Sequence, residues 1–392
     1  MKQFDVVIAG GAMAGMTLAL AIQNLSKGSL SVAVVEPYQV DHSAHPGFDS
    51  RSIALSYGTV NILKQLDLWQ NIAPVATAIK HIHVSDRTHA GITEISTQEV
   101  GVEALGYVVE LADVGRIYHQ RLANESNVEL LCPNSVTSIE RDVEHSVVTL
   151  DDGEQLKCKL LVAADGAISS CCQQLGLSLT EHDFDQVAVI ANITTEQAHQ
   201  GRAFERFTSQ GPVALLPMSE DRISLVWCLR PNNAEQVLQL DESEFLEQLQ
   251  QAFGWRLGKM IKVGERASYP LLLRYREQNR SHRFAIVGNA AQTLHPIAGQ
   301  GFNLGIRDVA TLAEEIVKSP QDAGSYTVLR EFKHRRTQDR EATIALTSSL
   351  VHLFSNDYLT LRIGRNLGLA AMEHLPVLKT PLLQRTLGLV AR

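Results

Sequence analysis

The apolar run from Phe4 to Ala9, followed at once by Gly10-Gly11-Ala12-Met13-Ala14-Gly15, constrains this fold more than any other part of the chain. A short β-branched run that stops at glycine reads as a buried parallel strand. Met16 to Leu25 then reads as a helix, and Ser31 to Val35 as a second strand ending at Glu36. The turn of such a βαβ unit needs small residues. Gly10 permits the tight bend, a small residue at 12 lets main-chain amides approach a pyrophosphate, and Gly15 lets helix and strand pack closely. Ala12 stands where the middle glycine is usual. Glu36 lies 21 residues after Gly15, where a carboxylate can accept from both hydroxyls of an adenosine ribose. The chain is expected to open with a parallel sheet that binds a dinucleotide.

Composition narrows what surrounds that unit. With 392 residues the chain has room for two or three domains, and 45% apolar with 20% charged residues is a soluble, core-forming composition. A net charge of −8 gives no basic face for nucleic acid. The five cysteines include no CxxC pair, so neither a disulfide framework nor a structural metal is expected, and a reducing, cytoplasmic setting fits best. The His81-x-His83 pair, with His89 nearby, reads as a solvated strand rather than a metal site because no further ligands are in range. No apolar run reaches the ~18 residues of a membrane span.

Later segments alternate in type. Lys80 to Val84 and Leu105 to Val109 read as strands and Asp113 to Ala123 as a helix. Val147 to Leu150, Asp151-Asp152-Gly153 and Gln155 to Val162 read as a hairpin that returns the chain to Ala164-Asp165-Gly166. Val187 to Ile193, Ala203 to Phe207, Val213 to Leu216 and Ile223 to Leu229 predict an antiparallel sheet domain. Phe284 to Val287 is one more strand, and Asn303 to Val317 a long helix. The expected fold is therefore α/β with an α+β second domain. A discontinuous Rossmann-like domain (1–78, 105–182, 274–341) is interrupted by a strand insertion (79–104) and an antiparallel substrate domain (183–273). A helical tail (342–392) follows.

Gly288-Asn289-Ala290-Ala291-Gln292-Thr293-Leu294-His295-Pro296-Ile297-Ala298-Gly299-Gln300-Gly301-Phe302-Asn303-Leu304-Gly305 lies between strand and helix. Its glycines can leave helix-terminal amides facing a ligand that carries negative charge. Together with the N-terminal turn, Asp49-Ser50-Arg51-Ser52-Ile53-Ala54-Leu55-Ser56 and Ala164-Asp165-Gly166, this stretch resembles the class A flavoprotein monooxygenases, and within them the ubiquinone-biosynthesis branch.

The resemblance implies FAD as cofactor, NAD(P)H as electron donor, and insertion of one atom of dioxygen into an electron-rich phenol. The substrate implied is a 2-polyprenyl-6-methoxyphenol, converted to the 1,4-benzoquinol. Hydroxylation at another ring carbon, or a non-catalytic place in a ubiquinone-synthesis assembly, are the alternatives. Gly10 to Gly15 and Arg51 would meet the FAD pyrophosphate, Arg51 through the forked bonds a guanidinium gives to phosphate. Glu36 would hold the ribose and main chain near Val136 the adenine, with Arg116 a further cofactor candidate. Gly288 and Asn289 would meet the ribityl chain, Asn289 standing where the family usually has Asp. Pro296, Gly299, Gln300, Gly301, Phe302 and Asn303 would line the isoalloxazine. Asp165 would sit at the groove where the pyrophosphate and the nicotinamide donor approach, and Cys172 occupies a place where many relatives carry arginine.

A phenol with a pKa near ~10 benefits from a local base. His295, the only titratable side chain of the flavin-facing stretch, is the candidate substrate-side partner, with a loop-bracing role as the alternative. Phe207, Leu215, Pro217 and Trp227 would form an apolar roof over the ring. The tail from 342 holds 13 leucines, five basic and two acidic residues. Leu346, Leu350 and Leu353, and beyond Pro376 Leu378, Leu382 and Leu389, are expected on amphipathic helices. These would rest on the FAD domain, on the inner face of a membrane, or on an assembly partner; association into an oligomer is a further expectation.

Overall fold

The computed structural model describes residues 1–41, 45–86, 92–354, 376–390 and 392. Its first layer is a sheet whose parallel strands run in the order Phe284–Ile286, Gln155–Ala163, Lys2–Ala9, Val32–Val35 and Val128–Leu131. Lys2–Ala9 sits at the centre, with Ile8 opposite both Val34 and Val162. Strands covered on both faces are apolar throughout, and Val6, Val7 and Ile8 are fully buried. The Met13–Ser26 and Gln300–Lys318 helices cover one face, and Leu18, Leu20, Val309 and Leu312 share its core. The Ser146–Leu150 and Gln155–Ala163 hairpin forms about the expected turn.

The second layer is a nine-stranded sheet, antiparallel except where Arg202–Phe207 and His81–Asp86 run parallel. His81–Asp86 and Ile92–Ser96 extend it from the inserted segment. Its central strand, Thr180–Thr195, is longer than the predicted Val187 to Ile193 and starts before residue 183, while Ala267–Tyr275 passes 273. Two helices absent from the sequence reading, Pro231–Gln239 and Glu242–Phe253, pack on its outer face. A third, smaller sheet of Ser52–Ser56, Gly106–Glu110 and Thr77–Ile79 lies between the two layers. Buried polar contacts fasten these parts. Arg222 Nη2 donates to Glu110 Oε1 at 2.6 Å, and Asn192 Nδ2 to the carbonyls of Phe48 and Ser50 at 2.6 and 2.8 Å.

The Tyr326–Phe354 helix runs through 341 and 342 without a break, so the compositional change there does not end an element. Leu389 lies beyond the Pro376–Thr386 helix instead of sharing a face with Leu378 and Leu382. His89 and the tail between 355 and 375 lie outside the described residues. Among the described residues, no helix is long and apolar enough to cross a membrane. All five cysteines are free thiols.

Candidate active site

The N-terminal turn is shaped as its residue types demand. Gly10 adopts φ +104°, and a methyl group there would stand 2.4 Å from the Ala164 carbonyl oxygen. At Gly15 the same group would meet the Gly10 carbonyl at 1.9 Å. The following helix begins at Met13 with no side-chain cap and no acidic residue in its first turn, so its positive end is open to an anion. Ala12, the residue preceding the helix, is exposed. Glu36 accepts from the Gly11 N–H at 2.6 Å and from the Tyr38 N–H at 2.9 Å, which fixes its carboxylate beside the turn. Gly288 packs directly on the helix: a methyl at that position would approach Ala14 Cβ to 2.8 Å. The two glycine-bearing segments, more than 270 residues apart in sequence, are thus in contact.

Other expected cofactor residues stand as follows. Asp165 accepts through Oδ2 from the Cys171 N–H at 3.1 Å and the Ser170 hydroxyl at 3.3 Å, while its buried Oδ1 has no partner. Asn289 is exposed. Arg51 is exposed at the rim of a cavity of about 290 Å³ that also holds Ser52, Asn192, Ser224 and Tyr269. An open glycine cradle, an uncapped helix end and an acceptor lacking a donor together fit a dinucleotide with a ribityl chain. Several expected residues are otherwise engaged. Asn303 is used up as a latch, accepting from the Ser56 N–H at 2.9 Å and donating to the Ala54 and Gly299 carbonyls. Arg116 is paired with Asp113 in its own helix at 3.0 Å. Phe302 packs on the core of the first layer. Gly301 belongs to the first turn of the Gln300–Lys318 helix. Val136 is core at the start of a strand, its carbonyl accepting from Gln174 Nε2 at 3.4 Å. Cys172 is fully buried, where burial pushes its thiol pKa up.

Beside the Pro296–Gln300 turn lies an apolar cavity of about 250 Å³. Ala54 to Ser56, Pro296, Ile297 and Gln300 line one side, and the inner face of the large sheet lines the other. Side chains alternate across a strand, and this corrects part of the expected roof. Phe207 lines the cavity, with Ala203 and Glu205 of the same face. Leu215 and Trp227 point the other way, into the core under the outer helices, where Trp227 meets the Phe245 ring edge-on at 5.8 Å. Pro217 has the parity of Leu215 and is absent from the wall. Ala214, Leu216 and Val226 take their places. Ile82, Val84 and Ile95 of the inserted strands also contribute, and sequence reasoning missed them although alternating apolar spacing in those strands was visible. Leu350, Leu382 and Leu383 turn into this cavity, so they are not part of an outward amphipathic surface.

His295 is the clearest correction. It is 1% exposed, and both ring nitrogens are bonded within the protein. Nδ1 accepts from the Ile297 N–H at 3.2 Å, so Nε2 carries the proton and donates to Gln186 Oε1 at 3.0 Å. The Gln186 amide is itself oriented by donation to the Gln210 carbonyl. Burial lowers the imidazole pKa to about 4. A ring with no free nitrogen and no charge at neutral pH braces the turn at Pro296; it does not reach the cavity. The linkage is testable. A folded pKa near 4 against ~6.5 unfolded costs about 2 kcal/mol of stability on going from pH 7 to pH 5, because the unfolded chain takes up the proton first. Urea unfolding at the two pH values should show this loss in the native chain and not in His295→Gln; an equal loss in both would contradict the brace.

Comparison with known proteins identifies the family. The family described as FAD binding domain matches residues 3–347. Ubiquinone hydroxylase UbiL of Rhodospirillum rubrum is 34% identical over 99% of this chain and 90% of its own length. The chain belongs to this family, in its ubiquinone-biosynthesis branch. A 3-demethoxyubiquinol 3-hydroxylase of Escherichia coli is 31% identical, with 98% of each chain covered. The crystal structure of p-nitrophenol 4-monooxygenase PnpA from Pseudomonas putida superposes with a TM-score of 0.80 over 99% of both chains at 20% identity, a likeness of fold. As a family member the chain is an FAD-dependent monooxygenase.

Proposed function

We propose that the chain hydroxylates a 2-polyprenyl-6-methoxyphenol to 2-polyprenyl-6-methoxy-1,4-benzoquinol, using NAD(P)H and dioxygen. The observation that carries this reading is the apolar cavity against the Pro296–Gln300 turn. A cavity of ~150 Å³ accepts benzene, so about 250 Å³ suits a ring with its methoxy group and the first carbons of a tail. Bound FAD supplies the activation of dioxygen. The chain's own residues bind, orient and exclude water. The uncapped Met13 helix end and Arg51 would hold the pyrophosphate, Glu36 the ribose and Asn289 a ribityl hydroxyl, with Asp165 at the groove where the pyrophosphate and the nicotinamide donor approach. Pro296 to Gln300 would face the flavin ring, with His295 fixing the turn from behind. Walls of Phe207, Leu216 and Val226 would keep water from the reacting carbon.

Attack at another ring carbon is the second reading, favoured by the Escherichia coli relative whose name specifies a 3-hydroxylase. Incubation with NAD(P)H, dioxygen and a short-chain 2-prenyl-6-methoxyphenol separates the two. The expected product is heavier by one oxygen and para-hydroxylated; substitution elsewhere supports the second reading, and no oxygenated product overturns both. Contact of residues 342–392 with a membrane or an assembly partner belongs to the same proposal, since a polyprenylated substrate needs a route from lipid. A truncation after Glu341 that still bound anionic vesicles and partners equally would oppose it.

A further inference from the structure

We propose that residues 376–387 set the substrate specificity of the ring cavity, through Leu382 and Leu383 as contact residues and Lys379 as the residue that positions them; this rests on the ring-hydroxylation reading above. Two independent observations lead here. First, Lys379, Leu382, Leu383, Thr386 and Leu387 all line the cavity, so a short C-terminal helix supplies much of one wall.

Second, the wall is pinned at three separate places. Lys379, 6% exposed, donates to the Glu94 carbonyl at 2.6 Å and pairs with the Glu99 carboxylate at 2.8 Å, fastening the helix to the edge of the large sheet. Gln300 Nε2 donates to the Thr386 carbonyl at 3.1 Å, tying it to the turn at the cavity floor. The Gly58 N–H donates to the Leu387 carbonyl at 2.7 Å. Gly58 allows that approach because it has no side chain: a methyl group there would stand 2.1 Å from the Gly388 carbonyl oxygen. A chain end docked at a sheet edge, a catalytic turn and a helix has a defined position, which a selective wall requires.

The cavity exceeds the benzene-sized ~150 Å³ by roughly 100 Å³, which leaves room for ring substituents against its walls. Branched aliphatic side chains at 382 and 383 match a methoxy group and an isoprenoid stem. They offer nothing to a polar substituent. The segment therefore discriminates between prenylated and unprenylated phenols, while the sheet and the Pro296 turn serve any ring.

The test uses the FAD-loaded full chain and two probes, 2-prenyl-6-methoxyphenol and 2-methoxyphenol, whose binding is read from perturbation of flavin absorbance. Leu382→Trp and Leu383→Trp are expected to weaken the prenylated probe at least about tenfold more than the unprenylated one. Lys379→Met should shift the ratio in the same direction, and Lys379→Arg should restore it, which a general loss of stability would not produce. If the tryptophan variants fail to retain FAD, Leu382→Ala gives the reading, with a fall in the ratio of about threefold expected. An unchanged ratio in the variants, with both probes binding the native chain, overturns this inference alone. Failure of the native chain to bind either probe overturns the ring-hydroxylation reading with it.

Discussion

Gly10→Ala protein is expected to purify nearly colourless. The new methyl group would meet the Ala164 carbonyl oxygen at 2.4 Å, and the residue would have to hold φ +104°, a conformation that costs a non-glycine residue roughly 1–3 kcal/mol before any clash. The obstacle is backbone just past the end of the Gln155–Ala163 strand, so it cannot swing aside as a side chain could. A loss of roughly 3 kcal/mol is about a hundredfold in FAD affinity. Ala12→Gly provides the opposite case: Ala12 is exposed at the helix end, and removing its methyl should leave FAD binding equal or tighter. Flavin absorbance per mole of protein and fluorescence titration of the apoprotein measure both, with far-UV circular dichroism as the check on folding. Gly10→Ala retaining the cofactor at native occupancy would mean that the turn is not the pyrophosphate site.

The second large effect belongs to the interior of the helical layer. Arg336 is fully buried and pairs with Asp308 at 2.7 Å and Asp339 at 2.6 Å; Arg307 reaches Asp339 at 2.7 Å. Arg340 completes the cluster through Gln292 Oε1 at 2.6 Å, and Gln292 donates to Asp308 at 2.7 Å. Removing one partner from such a buried network strands the other's charge, so Arg336→Met should cost about 3–5 kcal/mol in urea unfolding. Asp339 adds a pH signature. Burial pushes its carboxyl pKa up, but Arg307 and Arg336 outweigh that and hold it below the ordinary value. Its stabilisation is therefore complete above an unfolded pKa of ~3.9 and is lost as pH falls through the lower folded value. Acid unfolding should start at higher pH in Asp339→Asn. An Arg336→Met chain within ~1 kcal/mol of native stability would show that the cluster contributes little.

The N-terminal unit was legible because its constraints are local. A glycine that must take positive φ, a helix that must begin without a cap and a carboxylate one strand later are all properties of neighbouring residues. The same holds for the Asp-Gly hairpin and for the Gln300–Lys318 helix, whose apolar spacing is regular. The roof of the cavity was less legible because strand parity decides which face a residue joins. Leu215 and Leu216 are alike in chemistry, and the outer helices are what claim Leu215 and Trp227. Those helices did leave a signal. Pro231 stands at a first helical turn, and Asp241 with Glu244 forms a reciprocal capping box. His295 could not be assigned from sequence, since its partner Gln186 is 109 positions away. The wall made by residues 376–387 was invisible for the same reason: leucines at helical spacing say that a face is buried, not against what.

The most direct test of the whole account is a crystal structure of the chain with FAD and a short-chain 2-prenyl-6-methoxyphenol. The flavin is expected with its pyrophosphate at the Met13 helix end and its ring at the Pro296–Gln300 turn, and the phenol between Phe207, Leu216 and Leu382. A cofactor held elsewhere, or a phenol bound outside that cavity with the cavity closed, would contradict it.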